Sequence, residues 1–259
     1  MTANGVDAVN KPPPTPAQPA TVAPLADWPR LFDLAGRTAL VTGSSRGIGK
    51  AIAQILGQAG AQVFVHGSRP SEALDATLAE FRAHGLEAAS CCADIADSAA
   101  NRKLAAEVGP VDILVLNASI QYKTQWTEID TGQFAAQINT NLRSTIELIQ
   151  GFAPAMLARG WGRIVVVGSV NQDRQHPELA VYSATKSAGL NLCQNFARQF
   201  APAGVTVNNL APGVIDTDRN AEALANEAYR QQVLARIPSG VIGVPEDCAG
   251  LALVLCSAA

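Results

Sequence analysis

From residue 36 onward the chain alternates short, almost wholly apolar runs with longer stretches of helical periodicity, and few folds accept that pattern. The apolar runs are Thr38–Thr42, Gln62–Val65, Ala88–Cys92, Ile113–Leu116, Ile164–Val167 and Thr206–Leu210. Between them lie helical segments such as Ile48–Ala59, Ser71–His84, Phe134–Arg159 and Ala180–Phe200. A strand that is apolar at nearly every residue must be buried on both faces, and strands separated by helices pair in parallel through right-handed crossovers. The expectation is an α/β chain: a single-domain Rossmann fold over 31–259, with one doubly wound parallel sheet of six strands and helices on both faces. The 259 residues suffice for one such domain and hardly for two, and 48% hydrophobic against 16% charged residues supply its core.

Residues 1 to about 30 break the pattern and read as a flexible tail. Lys11–Ala20 is rich in Pro and Ala and lacks aromatics, so it has nothing with which to build a core. It has no apolar stretch of secretory type, and Lys11 is the one basic residue before Arg30. A formal charge of −3 argues against nucleic acid as a partner, and no apolar run approaches the roughly 20 residues of a membrane helix. Five cysteines without a CxxC pair read as reduced thiols, so a cytoplasmic location is expected. No His/Cys/Asp cluster has metal-ligand spacing, and no metal is expected.

Thr42-Gly43-Ser44-Ser45-Arg46-Gly47-Ile48-Gly49 joins the first apolar run to the first helical segment. Glycines let a backbone approach a pyrophosphate, and the helix N-terminus beyond them offers free N–H groups and the positive end of the dipole. The spacing is GxxxGxG rather than the general GxGxxG, so an ordinary strand–helix turn remains the plain alternative. In NAD enzymes an acid about 20 residues past the glycines holds the ribose 2′-hydroxyl. Here that region is His66-Gly67-Ser68-Arg69-Pro70, with no acid between Ala59 and Ser71. Arg69, with Arg46, would instead pair with a 2′-phosphate, which favours NADP(H) over NAD(H). The alternative is two ordinary surface arginines.

Tyr182-Ser183-Ala184-Thr185-Lys186 puts a phenol and an ammonium on one helix face. A free phenol titrates near 10, and a nearby cation stabilises its phenolate, so the pair is a sensible acid–base unit near neutral pH. Alone, the spacing also occurs idly on surface helices. Position strengthens it. Ser169 follows the fifth apolar run, Asn117 the fourth, Asp94 the third and Pro212-Gly213 the sixth, while the glycine turn follows the first. Ligands of open parallel sheets bind outside the carboxyl ends of the strands, where all these residues converge.

Together TGSSRGIG, Asn117-Ala118, Asn139-Thr140-Asn141-Leu142, Ser169, YSATK and Pro212-Gly213 resemble the short-chain dehydrogenase/reductase family over almost all of 34–259. The resemblance implies hydride transfer between a nicotinamide cofactor and a carbonyl or secondary alcohol. Tyr182 would then protonate the carbonyl oxygen or deprotonate the alcohol. Lys186 would lower the tyrosine pKa and hold the nicotinamide ribose, Ser169 would hydrogen-bond the substrate oxygen, and Asn141 would support a relay water. Without the resemblance, Asn141 reads as a helix residue satisfied by backbone bonds. The implied cofactor contacts are Gly43, Ser45, Arg46, Gly47, Ile48, Gly49, Ser68, Arg69, Asp94 and Ile95. They continue through Asn117 and Ala118 on the adenosine side, Tyr182, Lys186, Pro212 and Gly213, and Ile215 and Thr217 at the carboxamide end.

Two features depart from the family. Ser119 stands where members usually have the glycine of Asn-Ala-Gly. Beyond Leu251–Ala259 members continue into a last strand, so an unpaired edge beside the sixth strand is expected, and a homo-oligomer (tetramer or dimer) depends on how that edge is managed. The stretch Val170–Val181, which contains Gln175, is polar for a cleft wall. Residues 216–240, with Asp218, Arg219, Asn220, Glu222 and Arg236, read as a mobile lid. Polar walls suit a keto sugar or sugar acid. The alternatives are a β-ketoacyl thioester reductase, a cofactor-binding regulator without turnover, and an inactive fragment.

Overall fold

The computed structural model describes residues 25–174 and 176–259; Lys11–Ala20 and Gln175 lie outside them. One parallel sheet is built from β1 (Thr38–Val41), β2 (Gln62–Gly67), β3 (Ala88–Cys92), β4 (Ile113–Leu116), β5 (Gly162–Val167) and β6 (Val205–Leu210). Its order is β3-β2-β1-β4-β5-β6, and every pairing is parallel. The chain starts in the middle, winds out to β3, then returns to β4 on the other side of β1. That reversal opens a crevice at the carboxyl ends of β1 and β4.

The helices are α1 (Gly47–Gln58), α2 (Glu72–Ala83), α3 (Ser98–Val108), α4 (Thr131–Ile138), α5 (Ser144–Arg159), α6 (Ala180–Phe200), α7 (Asp218–Ala225), α8 (Glu227–Leu234) and α9 (Pro245–Cys256). The strands feed both faces alternately, as their pleat requires. Ala39, Val41, Ile113, Val115, Val165 and Val167 pack against Ile52 and Leu56 of α1, Phe81 of α2 and Ala252 of α9. Leu40, Leu114, Leu116, Ile164 and Val166 pack against Leu104 of α3, Phe152 and Met156 of α5, and Cys193 of α6.

The structure corrects the sequence expectation in three places. Phe134–Arg159 is not one helix: α4 passes into a π turn at Asn139–Arg143 before α5 begins. Residues 25–30, assigned to the tail, belong to a 3-10 helix, Leu25–Phe32. Thr42 is not the last residue of β1 but a tie between strands. Its Oγ1 donates to the Val115 carbonyl (3.3 Å) and accepts the N–H groups of Asn117 (3.0 Å) and Ala118 (3.1 Å). Among the described residues β6 pairs with β5 alone. Arg163 secures that side of the sheet, its Nε donating to the Ser257 carbonyl (2.8 Å) and its guanidinium lying over Trp161.

Candidate active site

The turn after β1 is shaped by glycine. Gly43 and Gly47 hold φ of 62° and 57°, in the left-handed region that glycine enters without steric cost. Gly49 lies so close to the turn that an added Cβ would stand 2.4 Å from the Gly43 carbonyl oxygen. Asn117 braces the same turn, its Nδ2 donating to the carbonyls of Thr42 and Gly43 (both 3.0 Å). The sequence reads Asn117 as a cofactor contact; it lines the cleft, but its amide protons hold the loop.

Sequence reasoning missed His66. At 1% exposure it is buried beneath the turn, its Nδ1 accepting the Gly43 N–H (3.1 Å) and its Nε2–H donating to the Ala93 carbonyl (3.1 Å). One neutral imidazole thus joins the ends of β1, β2 and β3. Burial pushes its pKa from 6.5 down to about 4. The unfolded chain therefore binds a proton that the folded chain refuses between those values, so stability is lost as pH falls from 6.5 to about 4. The expected loss is roughly 3 kcal/mol. Thermal unfolding at pH 7 and pH 4.5 checks this: His66→Gln should show a smaller acid-induced drop in Tm than the parent, and an equal drop would rule it out.

Three helix N-termini without a side-chain cap meet at one cleft. Side chains cap α2 (Ser71), α3 (Asp97), α4 (Asp130) and α8 (Asn226). The N-termini of α1, α6 and α7, behind Arg46, Leu179 and Thr217, have no side-chain cap, and all three residues line one cleft. Free N–H donors at the end of α1, above a glycine turn, suit a pyrophosphate. The cleft holds about 1000 Å³ and runs from Ser68 and Asp94 past the glycine turn to Ser169 and Tyr182. Its walls include every expected site residue except Asn141 and Arg69. Asn141 is buried behind the wall, and Arg69 is exposed beyond Ser68.

At the catalytic end, Ser169 stands just past β5, with its Oγ accepting the Asn171 N–H (3.2 Å). Tyr182 and Lys186 lie one turn apart on α6 and both are buried. Lys186 Nζ donates to the Val167 carbonyl (2.7 Å) and sits 5.6 Å from the Tyr182 ring centroid. Desolvation, helped by the charge of Arg219, holds its pKa down at about 7. The π turn brings Asn141 toward α6: Oδ1 accepts the Ile120 N–H (2.9 Å), while Nδ2 donates to the Ile120 carbonyl (2.8 Å) and Thr185 Oγ1 (3.2 Å). Both amide protons are committed. A relay water would find an acceptor at Asn141, not a donor.

The segment read as a lid carries α7 and α8. Two contacts from the first turn of α7 reach across the cleft: Asp218 to Arg46 (3.3 Å), and Arg219 to the Oγ and carbonyl oxygen of Ser119 (3.1 and 2.6 Å). Lys123 lies over the Tyr229 ring of α8. Among the described residues no three His, Cys, Asp or Glu side chains are grouped to hold a metal, and no helix is long and apolar enough to cross a membrane.

Residues 37–228 match the family model for short chain dehydrogenase. Gluconate 5-dehydrogenase of Gluconobacter oxydans (strain 621H) is 36% identical over 235 residues, 89% of this chain and 91% of its own. The crystal structure of a 3-oxoacyl (acyl-carrier-protein) reductase from Agrobacterium tumefaciens C58 with NADP bound superposes with a TM-score of 0.84. It is 42% identical, covering 89% of this chain and 91% of that one. A gluconate 5-dehydrogenase from Burkholderia cenocepacia J2315, in complex with NADP and tartrate, gives 0.84 at 33% identity, with 89% and 92% covered.

Proposed function

The chain belongs to the short-chain dehydrogenase family, and we propose that within it the protein is an NADP(H)-dependent oxidoreductase that interconverts a carbonyl and a secondary alcohol on a keto sugar or sugar acid. The observation that carries this reading is the buried Lys186 ammonium, fixed on the Val167 carbonyl one helical turn from Tyr182, at the end of the cleft that Ser169 lines. A nicotinamide held in this cleft would supply or accept the hydride. Tyr182 gives its hydroxyl proton to the carbonyl oxygen in reduction and takes it back in oxidation. Ser169 Oγ orients that oxygen. Lys186 places positive charge beside the phenol, which favours the anion left when the proton leaves. Asn141 fixes Ile120 against Thr185 and so holds α6 at its distance from the end of β4.

Of the described polar side chains in Val170–Val181 only Asn171 and His176 reach the cleft wall, where with Asn220 they support a hydroxylated substrate, as do the names of the gluconate-active relatives. A β-ketoacyl thioester reductase is the second reading, supported by the 42% identity to the acyl-carrier-protein reductase. Oxidation of NADPH, and separately of NADH, against keto sugars, sugar acids and β-ketoacyl thioesters separates the two. Turnover of the thioesters alone would overturn the sugar reading. The exposed Trp126 (78%) and Phe134 (46%) support a homo-oligomer, dimer or tetramer, with mass in solution as the check.

The preference for NADP(H) is supported by the NADP-bound relatives and by the absence of an acid after β2. Arg69 is exposed just outside the cleft wall and would meet a 2′-phosphate by swinging in over Ser68. Replacing it with alanine should weaken NADPH roughly 10- to 100-fold, the range of a charge-assisted bond, while NADH changes by less than about threefold. Fluorescence titration with both cofactors measures this, and equal losses would take the 2′-phosphate away from Arg69.

A further inference from the structure

Three basic side chains outside any ion pair line the catalytic end of the cleft. Lys123, Lys186 and Arg219 are wall residues, and among the described residues none makes an ion pair. Two acids share the described wall: Asp94 at the end of β3, where it accepts the Ala96 N–H, and Asp218, which neighbours Arg219 in the chain but is paired with Arg46. Positive charge gathered where the substrate must lie attracts an anion.

Of the three, Arg219 is the one held at the surface by neutral oxygens. Lys186 is buried on the Val167 carbonyl, and Lys123 is drawn to the Tyr229 ring. Arg219 is exposed on the first turn of α7, and both oxygens it holds, Oγ and the carbonyl of Ser119, are neutral. A guanidinium fork binds a carboxylate through two parallel charge-assisted bonds, roughly twice as strong as bonds between neutral groups. Ser119 itself stands two residues past Asn117, beside the glycine turn, so the guanidinium is parked over the cleft rather than away from it. Its charge is felt at the Lys186 ammonium, which places it within electrostatic reach of the catalytic pair.

We propose that Arg219 is the receptor for a substrate carboxylate: its guanidinium leaves Ser119 for the acid group at the far end of a short hydroxylated substrate whose carbonyl lies at Tyr182 and Ser169. The inference rests on the sugar-acid reading above and names the residue that would select acid over neutral sugar. The parking contact gives the exchange its direction, since two neutral acceptors are traded for one anionic acceptor.

The test compares a keto sugar acid with an uncharged keto sugar of the same chain length, at saturating NADPH, in the parent and in Arg219→Gln and Arg219→Lys. The parent should prefer the acid. Arg219→Gln should lower kcat/KM for the acid on the order of 10- to 100-fold, mainly through KM, so that the preference collapses toward equality. Arg219→Lys keeps the charge without the fork and should recover part of it. Calorimetric titration of the NADP-loaded protein with tartrate, a hydroxylated dicarboxylate, reads the same contact without turnover, and Arg219→Gln should weaken that binding by a similar factor. A parent that prefers the acid, with the preference and tartrate affinity intact in Arg219→Gln, overturns the inference and leaves the sugar-acid reading standing. A parent with no preference for the acid and no affinity for tartrate overturns both.

Discussion

Replacing Tyr182 with phenylalanine is expected to remove turnover, by about 10³-fold or more, while the protein stays folded and keeps its affinity for NADPH within about threefold. The asymmetry follows from what the hydroxyl does. Among the described residues no protein group pairs with it, so its loss breaks no internal bond, and phenylalanine fills the same buried volume on α6. Lys186 keeps its bond to the Val167 carbonyl and its place 5.6 Å from the ring, so the cation that would meet the cofactor is undisturbed. What would disappear, under the proposed mechanism, is the acid that protonates the carbonyl oxygen in reduction. Single-turnover absorbance at 340 nm with NADPH, alongside fluorescence titration of the cofactor, separates the two effects. Retained turnover would dismiss Tyr182 as the acid–base group; loss of cofactor affinity in step with activity would make it a binding residue instead.

The fold was legible because its rule is local. A strand buried on both faces is apolar throughout, and a helix shows its own period, so six strands and the alternation could be read within a residue or two. The glycine turn was legible for a related reason: a backbone that must meet Gly43 and Gly47 at positive φ leaves a mark in residue type. The π turn left none, because Asn139–Arg143 continues the helical pattern on either side and the extra residue in the turn depends on where Asn141 finds Ile120 and Thr185. His66 was equally silent. A histidine at the end of an apolar strand is unremarkable until Gly43 and Ala93, from two other strands, close around it. Arg219 could be read as polar and part of a lid, but its partner Ser119 lies 100 residues away in the chain. Chemistry carried by residue type and spacing was visible in advance; chemistry carried by the meeting of distant segments was not.

That distinction sets the scale of the second large effect, expected from a single methyl group. In Gly49→Ala the new Cβ would stand 2.4 Å from the Gly43 carbonyl oxygen, 2.5 Å from Asn117 Nδ2 and 3.0 Å from the Gly43 carbonyl carbon. Two of these are backbone atoms, so a rotamer change cannot relieve the contact. Helix α1 must lift away from the turn, or the turn must move, and Gly43 is itself closed in, since a Cβ there would meet the Ala118 Cα at 2.9 Å. Either shift strains the bonds that define the site, from Asn117 Nδ2 to the Gly43 carbonyl and from the Gly43 N–H to His66 Nδ1. Overpacking of this kind costs about 1–3 kcal/mol, and leaving a buried partner unsatisfied adds about 1–3 more. Against a total stability of roughly 5–15 kcal/mol, Tm should fall by many degrees and NADPH affinity by more than about tenfold. Gly250→Ala, on α9, is the matched control: beyond its chain neighbours and its own helix backbone no described atom lies within 4 Å of the added Cβ, and helix propensity should leave it unchanged or up to about 1 kcal/mol more stable. If both variants melt together with the parent and bind NADPH alike, the close contact between α1 and the glycine turn is not what holds the phosphate site in shape. If Gly49→Ala alone falls, the same methyl-sized gap that admits the helix end to the turn is what admits the cofactor to the fold.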